Sequence, residues 1–198
     1  MNNGALVAGF DEVGWGAAAG PLVIGMVVMR AGVVDPLLRD SKAFKNGRAG
    51  SAHKQRQVAA QRVRELSVWH DTFSLMPQCL EPSPAFAKVS LFRTAMLECW
   101  ARFPGCTLVM DGNEELYDFP VPYRALPKAD QLVPACSAAS IVAKVWRDQY
   151  MIDLAARYPH YAFEENKGYL SEYHRQALRR LGPIWAHRPR WIGKVLDP

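Results

Sequence analysis

The sequence lacks the features that mark several classes of protein. Its four cysteines, at positions 79, 99, 106 and 136, form no C-x-x-C pair and have no close histidine, which argues against a zinc site. The apolar stretch Ala17 to Met29 contains Pro21 and is shorter than the roughly 20 residues that a membrane-spanning helix needs. The first residues carry no basic segment followed by an apolar core, as signal peptides do. We therefore expect a cytoplasmic protein with free thiols and no membrane association.

Internal repeats, low-complexity runs and interdomain linkers are also absent. The 198 residues are enough for a real hydrophobic core, and the hydrophobic share of 49% and charged share of 22% are those of ordinary globular proteins. We expect one domain over residues 1–198, with a helical carboxy-terminal part at about 158–198, and a monomer. The net charge of +5 permits a polyanionic partner without requiring one.

Hydrophobic patterning predicts strands first, and then strands alternating with helices. The predicted strands are 5–11, 21–29, 68–75, 107–111 and 122–126. The predicted helices are 51–66, 83–103, 133–157 and 171–181. This order is typical of an α/β layer with a mixed sheet, in which sites form beyond strand ends.

Four acidic residues lie at predicted element ends. Asp11 and Asp111 both close apolar strands, so we expect them on adjacent strands, about 5 Å apart. Glu12 follows Asp11, and neighbouring strand side chains point to opposite faces, so only one of the pair can face a given site unless the strand twists or ends. Asp130 precedes the longest predicted helix, whose positive amino-terminal end favours an ionised carboxylate. Such carboxylates suit a hard metal ion that holds a phosphate, although each is also compatible with a solvated turn or helix end.

Two further patterns accompany the acids. Gly14 and Gly16 allow the backbone to approach a ligand or to adopt positive φ. In the predicted helix 133–157, Ser137, Ser140 and Lys144 share one face, beside small apolar residues that allow close packing on the sheet. The serine and lysine side chains either contact phosphate oxygens or form an ordinary, partly exposed helix face.

Taken in order, these motifs resemble those of the ribonuclease HII family, the bacterial type 2 ribonucleases H. The matching segments are Asp11-Glu12-x-Gly-x-Gly, Ala19-Gly20-Pro21, Asp40-Ser41-Lys42, Val109-Met110-Asp111-Gly112, Lys128-Ala129-Asp130, SAASIVAKVxRD at 137–148, Tyr158-Pro159-x-Tyr161 and Asn166-Lys167-Gly168-Tyr169. The SAASIVAKVxRD block is long and specific, whereas the acidic turn alone is a weak signal. The segments cover nearly the whole chain.

The resemblance implies a ribonuclease H-like fold, with a five-stranded mixed sheet flanked by helices and a helical C-terminal extension. It implies an endonuclease that cuts the RNA strand of RNA–DNA hybrids, and DNA duplexes with embedded ribonucleotides, using two Mg²⁺ or Mn²⁺ ions and leaving 3′-hydroxyl and 5′-phosphate ends. The implied catalytic, metal-binding acids are Asp11, Glu12, Asp111 and Asp130. The implied nucleic-acid contacts are Gly14, Trp15, Gly16, Lys42, Ser140, Lys144 and Tyr169.

Two residues depart from the family pattern. Trp15 stands between the two glycines, where the family usually has arginine, and Asn166 stands where it usually has histidine. Neither replaces a metal-binding acid, so we expect catalysis with an altered preference for single embedded ribonucleotides. One alternative is a catalytically weakened relative that binds hybrids. A more distant alternative is a Rossmann-like nucleotide-binding module, which the incomplete G-x-G-x-x-G spacing and the phosphate-repelling acids disfavour.

The carboxy-terminal part is basic. Between residues 166 and 196 a single acid, Glu172, accompanies the cations Lys167, Arg175, Arg179, Arg180, Arg188, Arg190 and Lys194. With Tyr169 and Trp191 interleaved, this composition favours a surface that lies along a nucleic-acid backbone, although a solvated basic helix would have the same composition.

Overall fold

A five-stranded mixed sheet forms the centre of the computed structural model, which describes residues 4–38 and 51–196. The strands are β1 (Leu6–Val13), β2 (Leu22–Arg30), β3 (Trp69–Leu75), β4 (Thr107–Asp111) and β5 (Tyr123–Leu126). Their order is β3-β2-β1-β4-β5. The β1–β2 and β2–β3 pairs are antiparallel, and the β1–β4 and β4–β5 pairs are parallel. The predicted mixed sheet is therefore confirmed.

Helices flank the sheet and make up the carboxy-terminal part. Their bounds are α1 (Ser51–Leu66), α2 (Pro84–Arg102), α3 (Ala129–Leu132), α4 (Pro134–Arg157), α5 (Phe163–Asn166), α6 (Glu172–Leu181) and α7 (Pro189–Leu196). The four predicted helices are confirmed to within a residue at each end. The sequence pattern missed α3 and α5, which are too short for a helical period to show, and α7. No described helix is long and apolar enough to cross a membrane, and all four cysteines are free thiols, as expected.

Strand β1 continues two residues beyond its predicted end. Asp11 pairs with Gly25, Glu12 with Ile24 and Val13 with Val23. The antiparallel ladder with β2 satisfies backbone groups at both acids, so they belong to the strand and not to the turn after it.

The two faces of the sheet pack on different helices. Ala8 and Phe10 of β1 point into a core that includes Phe92 and Met96 of α2. Val7, one position out of phase, packs in the core formed with α1 and α4. The buried face of α2 includes Lys88, whereas Phe86 is 72% exposed.

Helix α4 lies directly on the sheet backbone. A Cβ atom at Gly9 would collide with the backbone of Ala135 and Cys136, and one at Gly25 would collide with the carbonyl of Ala139. The predicted close packing of small residues on the sheet is therefore confirmed, and glycine on the strands is what permits it.

The helices after α4 share a separate cluster, which contains a buried histidine pair. Ile184 donates its N–H to Nδ1 of His187 at 2.9 Å, so the ring proton of His187 is on Nε2. That proton is donated to Nε2 of His174 at 3.0 Å, and His174 donates from Nδ1 to the carbonyl of Tyr169 at 2.9 Å. Burial lowers the pKa of both rings, and the neighbouring His174 helps to lower the pKa of His187 to about 4.

We predict that Gly25→Ala destabilises the protein by about 1–3 kcal/mol, because the added methyl group must push α4 away from β2. Urea unfolding followed by circular dichroism measures the loss. Gly193→Ala is the matched control, since no atom of the described residues lies within 4 Å of its added Cβ and alanine favours the helix by roughly 0.5–1 kcal/mol. A Gly25→Ala variant as stable as the wild type would contradict the backbone contact.

We predict that the histidine pair makes stability depend on pH between 6.5 and about 4. Since the folded pKa values lie below the unfolded value of 6.5, the unfolded chain binds more protons, and this stabilising contribution is lost as the pH falls through that range. One such group gives a slope of up to about 1.4 kcal/mol per pH unit. His187→Gln should be less stable at pH 7.5 and show a shallower slope in urea unfolding. His160→Gln, at an exposed residue, should keep the wild-type slope, and equal slopes in all three proteins would disprove the assignment.

Candidate active site

Parallel pairing of β1 with β4 brings two acids together. Phe10 is opposite Met110 in the register, so Asp11 and Asp111, one residue further on, lie side by side at the same end of neighbouring strands. Adjacent strands are about 4.8 Å apart. The prediction that these two residues meet is confirmed.

Asp11 faces α4 and is buried, with 6% of its surface exposed. Its pKa is raised to about 7, first by burial and then by the charges of Asp111, Glu12 and Asp130, against a hydrogen bond with Ser140 that lowers it. The acids therefore form one electrostatic cluster, in which each ionised carboxylate makes ionisation of the neighbouring carboxyl groups less favourable.

Glu12 faces the other side of the sheet, as strand alternation predicts. Its Oε1 lies 3.9 Å from Nζ of Lys88 on α2, and the same ammonium group contacts Glu114. Burial raises the pKa of Glu12 to about 7, Glu114 and Asp111 act in the same direction, and Lys88 opposes them. Lys88 is itself only 6% exposed, so it is a buried counter-charge at the edge of the acidic cluster.

Asp111 and Asp130 are joined through the short helix α3. Oδ1 of Asp111 accepts a hydrogen bond from the N–H of Ala129 at 2.5 Å, at the start of α3. Asp130 is the next residue and is 8% exposed. Val133 is extended and separates α3 from α4, so Asp130 lies in its own helical turn and not at the tip of the long helix.

The chemistry of the four acids fits a hard divalent cation. All four ligands would be carboxylate oxygens, and their mutual repulsion is relieved by a bound positive charge. Among the described residues, no group of three or more carboxylate, imidazole or thiol side chains is placed as a complete metal site. This is consistent with Asp11 and Glu12 facing opposite sides of β1 and with Asp111 being turned toward Ala129.

The glycine loop, which is the segment between β1 and β2 (residues 14–21), is packed against the carboxy-terminal part. Gly14 has a φ of 88°, and Gly16 is exposed. The ring of Trp15 is half-buried, with its centroid 6.2 Å from that of Trp191 in an edge-on contact and 4.7 Å from Nζ of Lys88. Trp15 is therefore an internal anchor of the loop as well as a predicted nucleic-acid contact.

The predicted serine and lysine face of α4 is present. Ser140 contacts Asp11, and the buried Oγ of Ser137 has no hydrogen-bond partner among the described residues. Lys144 donates to Asp148 at 2.6 Å, and burial lowers the pKa of its ammonium group. Nη2 of Arg56 lies 3.6 Å from the other oxygen of Asp148, so cations from α1 and α4 meet around one carboxylate.

Tyr169 lies between α5 and α6, with 40% of its surface exposed and the guanidinium of Arg147 5.6 Å from its ring centroid. Asn166 shapes the turn before it: its Oδ1 accepts from the N–H of Gly168 at 2.7 Å, and its Nδ2 donates to the carbonyl of Tyr161 at 2.7 Å. The asparagine at this position therefore has a structural role. Lys42, with the rest of its motif, lies outside the described residues.

One sequence prediction is wrong. Arg188 was assigned to an exposed basic surface, but it is fully buried. Together with Arg147, which is also fully buried, it binds backbone carbonyls of the glycine loop. Lys88 was missed as well, although it lies on the buried face of α2 three and four residues before Leu91 and Phe92, a spacing that signals a core position.

The sheet order and the flanking helices are those of a ribonuclease H-like fold, and the acidic cluster at its strand ends suits metal-dependent chemistry. The family model described as Ribonuclease HII matches residues 107–194, and Ribonuclease HII from Acaryochloris marina is 40% identical over 189 residues, covering 92% of this chain and 90% of the relative. The chain therefore belongs to the ribonuclease HII family, and this membership supports hydrolysis of the RNA strand of RNA–DNA hybrids.

Solved structures agree on the fold. The chain is similar to ribonuclease HII in the PCNA:RNase HII complex from Archaeoglobus fulgidus, with a TM-score of 0.74, 22% identity and coverage of 96% of this chain and 97% of that chain. It is also similar to Bst-RNase HIII in complex with Mn²⁺, with a TM-score of 0.68, 16% identity and coverage of 99% and 72%.

Proposed function

We propose that the protein cuts RNA–DNA hybrids, and DNA duplexes with embedded ribonucleotides, by two-metal-ion catalysis that leaves 3′-hydroxyl and 5′-phosphate ends. The observation that carries the proposal is the meeting of Asp11 and Asp111 at adjacent strand ends, with Glu12 and Asp130 in electrostatic contact with Asp11. Four carboxylates are about what a pair of hard cations needs while positions stay open for water and substrate.

Asp11, Glu12, Asp111 and Asp130 would hold the metal ions. Bound divalent ions would activate water and neutralise charge on the phosphate and the leaving oxygen. Mg²⁺ or Mn²⁺ is the proposed cofactor, a choice supported by the Mn²⁺ complex of the ribonuclease HIII relative. Glu12 must remain ionised for this role, and the ammonium group of Lys88 favours its ionised form.

The substrate contacts are proposed for groups around this cluster. Ser140, which contacts Asp11, and Lys144, about one turn further along the same face of α4, would meet phosphate oxygens, together with Lys42. The exposed ring of Tyr169 would stack on a sugar, and the loop Gly14-Trp15-Gly16 would bind the ribonucleotide. A monomer that removes ribonucleotides from DNA in the cytoplasm is part of the same proposal.

We predict that Asp11→Asn or Asp111→Asn nearly abolishes cleavage, because each change removes a negative charge from the cation site. The measurements are cleavage of a labelled RNA–DNA hybrid with Mg²⁺ or Mn²⁺, and Mn²⁺ affinity by titration calorimetry. Hybrid binding without metal and the circular dichroism spectrum should stay at wild-type values.

Asp153→Asn is the matched control for these variants. Asp153 is exposed on α4, where it accepts a hydrogen bond from Gln149, and its replacement should leave cleavage unchanged. Full activity of the Asp11 or Asp111 variant, or wild-type activity in excess EDTA, would rule out the metal mechanism.

Trp15 favours a second candidate function. In it, the protein is a ribonuclease HII relative whose specificity for a single embedded ribonucleotide is altered. Its indole is neutral and can donate only one hydrogen bond, and its ring is engaged with Trp191 and Lys88. It cannot supply a charged contact to a phosphate beside the scissile ribonucleotide. A run of RNA offers many binding registers, whereas a lone ribonucleotide offers one.

We predict that the wild type cuts duplexes with one ribonucleotide less efficiently than duplexes with four or more. Trp15→Arg should improve the single-ribonucleotide rate selectively, by about 3- to 10-fold, since a charged hydrogen bond of roughly 1.5–3 kcal/mol is weakened by solvent. Lys88 would repel the new guanidinium away from the ring pocket and toward the substrate side.

The measurement is the ratio of single-turnover rates on the two duplexes, at a temperature where every variant is folded, because Trp15→Arg also loses ring packing. Trp15→Phe keeps an aromatic ring without adding charge and should leave the ratio unchanged. A wild type that already prefers single ribonucleotides, with the same ratio in Trp15→Arg, would refute this interpretation of Trp15.

A further inference from the structure

We propose that Arg188 is a positioning residue, which turns two peptide groups of the glycine loop so that their N–H donors face the ribose of the substrate. The substrate part of this inference rests on the proposed function. Arg147 supports the same loop from the α4 side.

Both arginines are fully buried, and backbone carbonyls take the place of a carboxylate partner. In the part of the chain that the structure describes, all seven of their hydrogen bonds go to backbone carbonyl oxygens. Arg147 donates to the carbonyls of Ala19, Pro21 and Lys167 at 2.8–2.9 Å. A buried charge whose hydrogen bonds all go to peptide carbonyls holds those dipoles in a set direction.

Arg188 holds the two peptide groups at the tip of the loop. Its Nη1 donates to the carbonyl of Gly14 at 2.7 Å and to that of Trp15 at 3.0 Å. Its Nε and Nη2 both donate to the carbonyl of Gly20, at 3.0 and 2.8 Å. The guanidinium group therefore links the two ends of the loop. The ammonium group of a lysine would do this less well, because its donors sit on a single nitrogen atom.

The direction of these carbonyls determines where the N–H groups point. In a trans peptide the C=O of one residue and the N–H of the next point in opposite directions. With the carbonyls of Gly14 and Trp15 directed at Arg188, the N–H groups of Trp15 and Gly16 point away from it. Among the hydrogen bonds of the described residues, none is donated by either N–H, and Gly16 is exposed.

Two adjacent outward N–H donors suit an oxygen acceptor on the substrate. A ribose 2′-hydroxyl is such an acceptor, and it is the group that distinguishes RNA from DNA at one nucleotide. Phosphate oxygens are acceptors too, but both strands of every duplex carry them. The consequence specific to this geometry is therefore discrimination between hybrid and DNA, and not affinity alone.

The close contacts around the loop also depend on the arginines. A Cβ atom on Gly14 would collide with the side chain of Arg147, and one on Gly168 would collide with the carbonyl of Ala19. Both glycines have positive φ. The loop therefore packs directly against the Arg147 side chain at Gly14 and against the backbone of Gly168 at Ala19, without intervening side chains.

The test compares Arg188→Gln and Arg188→Lys with Arg93→Gln. Arg93 is the matched control because it also donates to loop carbonyls, those of Tyr117 and Asp118, on an exposed surface. The readout is the ratio of dissociation constants for a DNA duplex and for an RNA–DNA hybrid of the same sequence, measured in EDTA. Circular dichroism and urea unfolding show whether each variant is folded.

Arg188→Gln should lower this ratio about five- to tenfold, Arg188→Lys should lower it less, and Arg93→Gln should leave it unchanged. Equal weakening of both affinities, an unchanged ratio in a folded variant, or a failure of both Arg188 variants to fold would overturn the proposal in favour of a purely structural role. A wild type that does not discriminate hybrid from duplex would instead contradict the proposed function, so the two failures are distinguishable.

Discussion

The rest of the site depends on the direct contact between helix α4 and the backbone of β1 and β2. Gly9 and Gly25 have no side chain at the points where Ala135, Cys136 and Ala139 approach, so the helix axis lies closer to the sheet than ordinary side chains would allow. This distance lets Ser140 bond to Asp11 and lets Arg147 reach the carbonyls of the glycine loop. A small displacement of α4 would separate all of these contacts together, since they share one rigid helix.

Asp11 and Glu12 lie on opposite faces of β1, and each face supplies a group that favours the ionised carboxylate. On the α4 side, the Ser140 hydroxyl favours the charged form of Asp11, while on the α2 side the buried ammonium of Lys88 favours the charged form of Glu12. Burial acts against both carboxylates, and their like charges add to that cost. The cluster is therefore held together by the packing of the sheet and by these two contacts. A cation that binds there would relieve the repulsion between the buried carboxylates, so its binding would be electrostatically favourable.

Local patterns predicted the strands and the longer helices well, because these elements depend on neighbouring residues. The hydrophobic run of β4 ends at Asp111 as expected, and the alternation rule placed Asp11 and Glu12 on opposite faces. Arg188 could not be assigned in this way. Its acceptors Gly20 and Gly14 are 168 and 174 positions away. Every residue has a backbone carbonyl, so the sequence does not show which carbonyls accept hydrogen bonds from a given arginine. A cation satisfied by backbone therefore looks, in sequence, like any surface cation.

The same limit explains why Trp15 is hard to interpret from the sequence alone. As a substitution for arginine it suggests only the loss of a charge, whereas its ring lies between Trp191 and the ammonium of Lys88. Its carbonyl is held by Arg188 at 3.0 Å, so the side chain and the peptide group of one residue are fixed by different parts of the chain. The conformation of the glycine loop is thus set by backbone contacts that any residue between Gly14 and Gly16 could make. The identity of the side chain at position 15 changes only what surrounds those contacts.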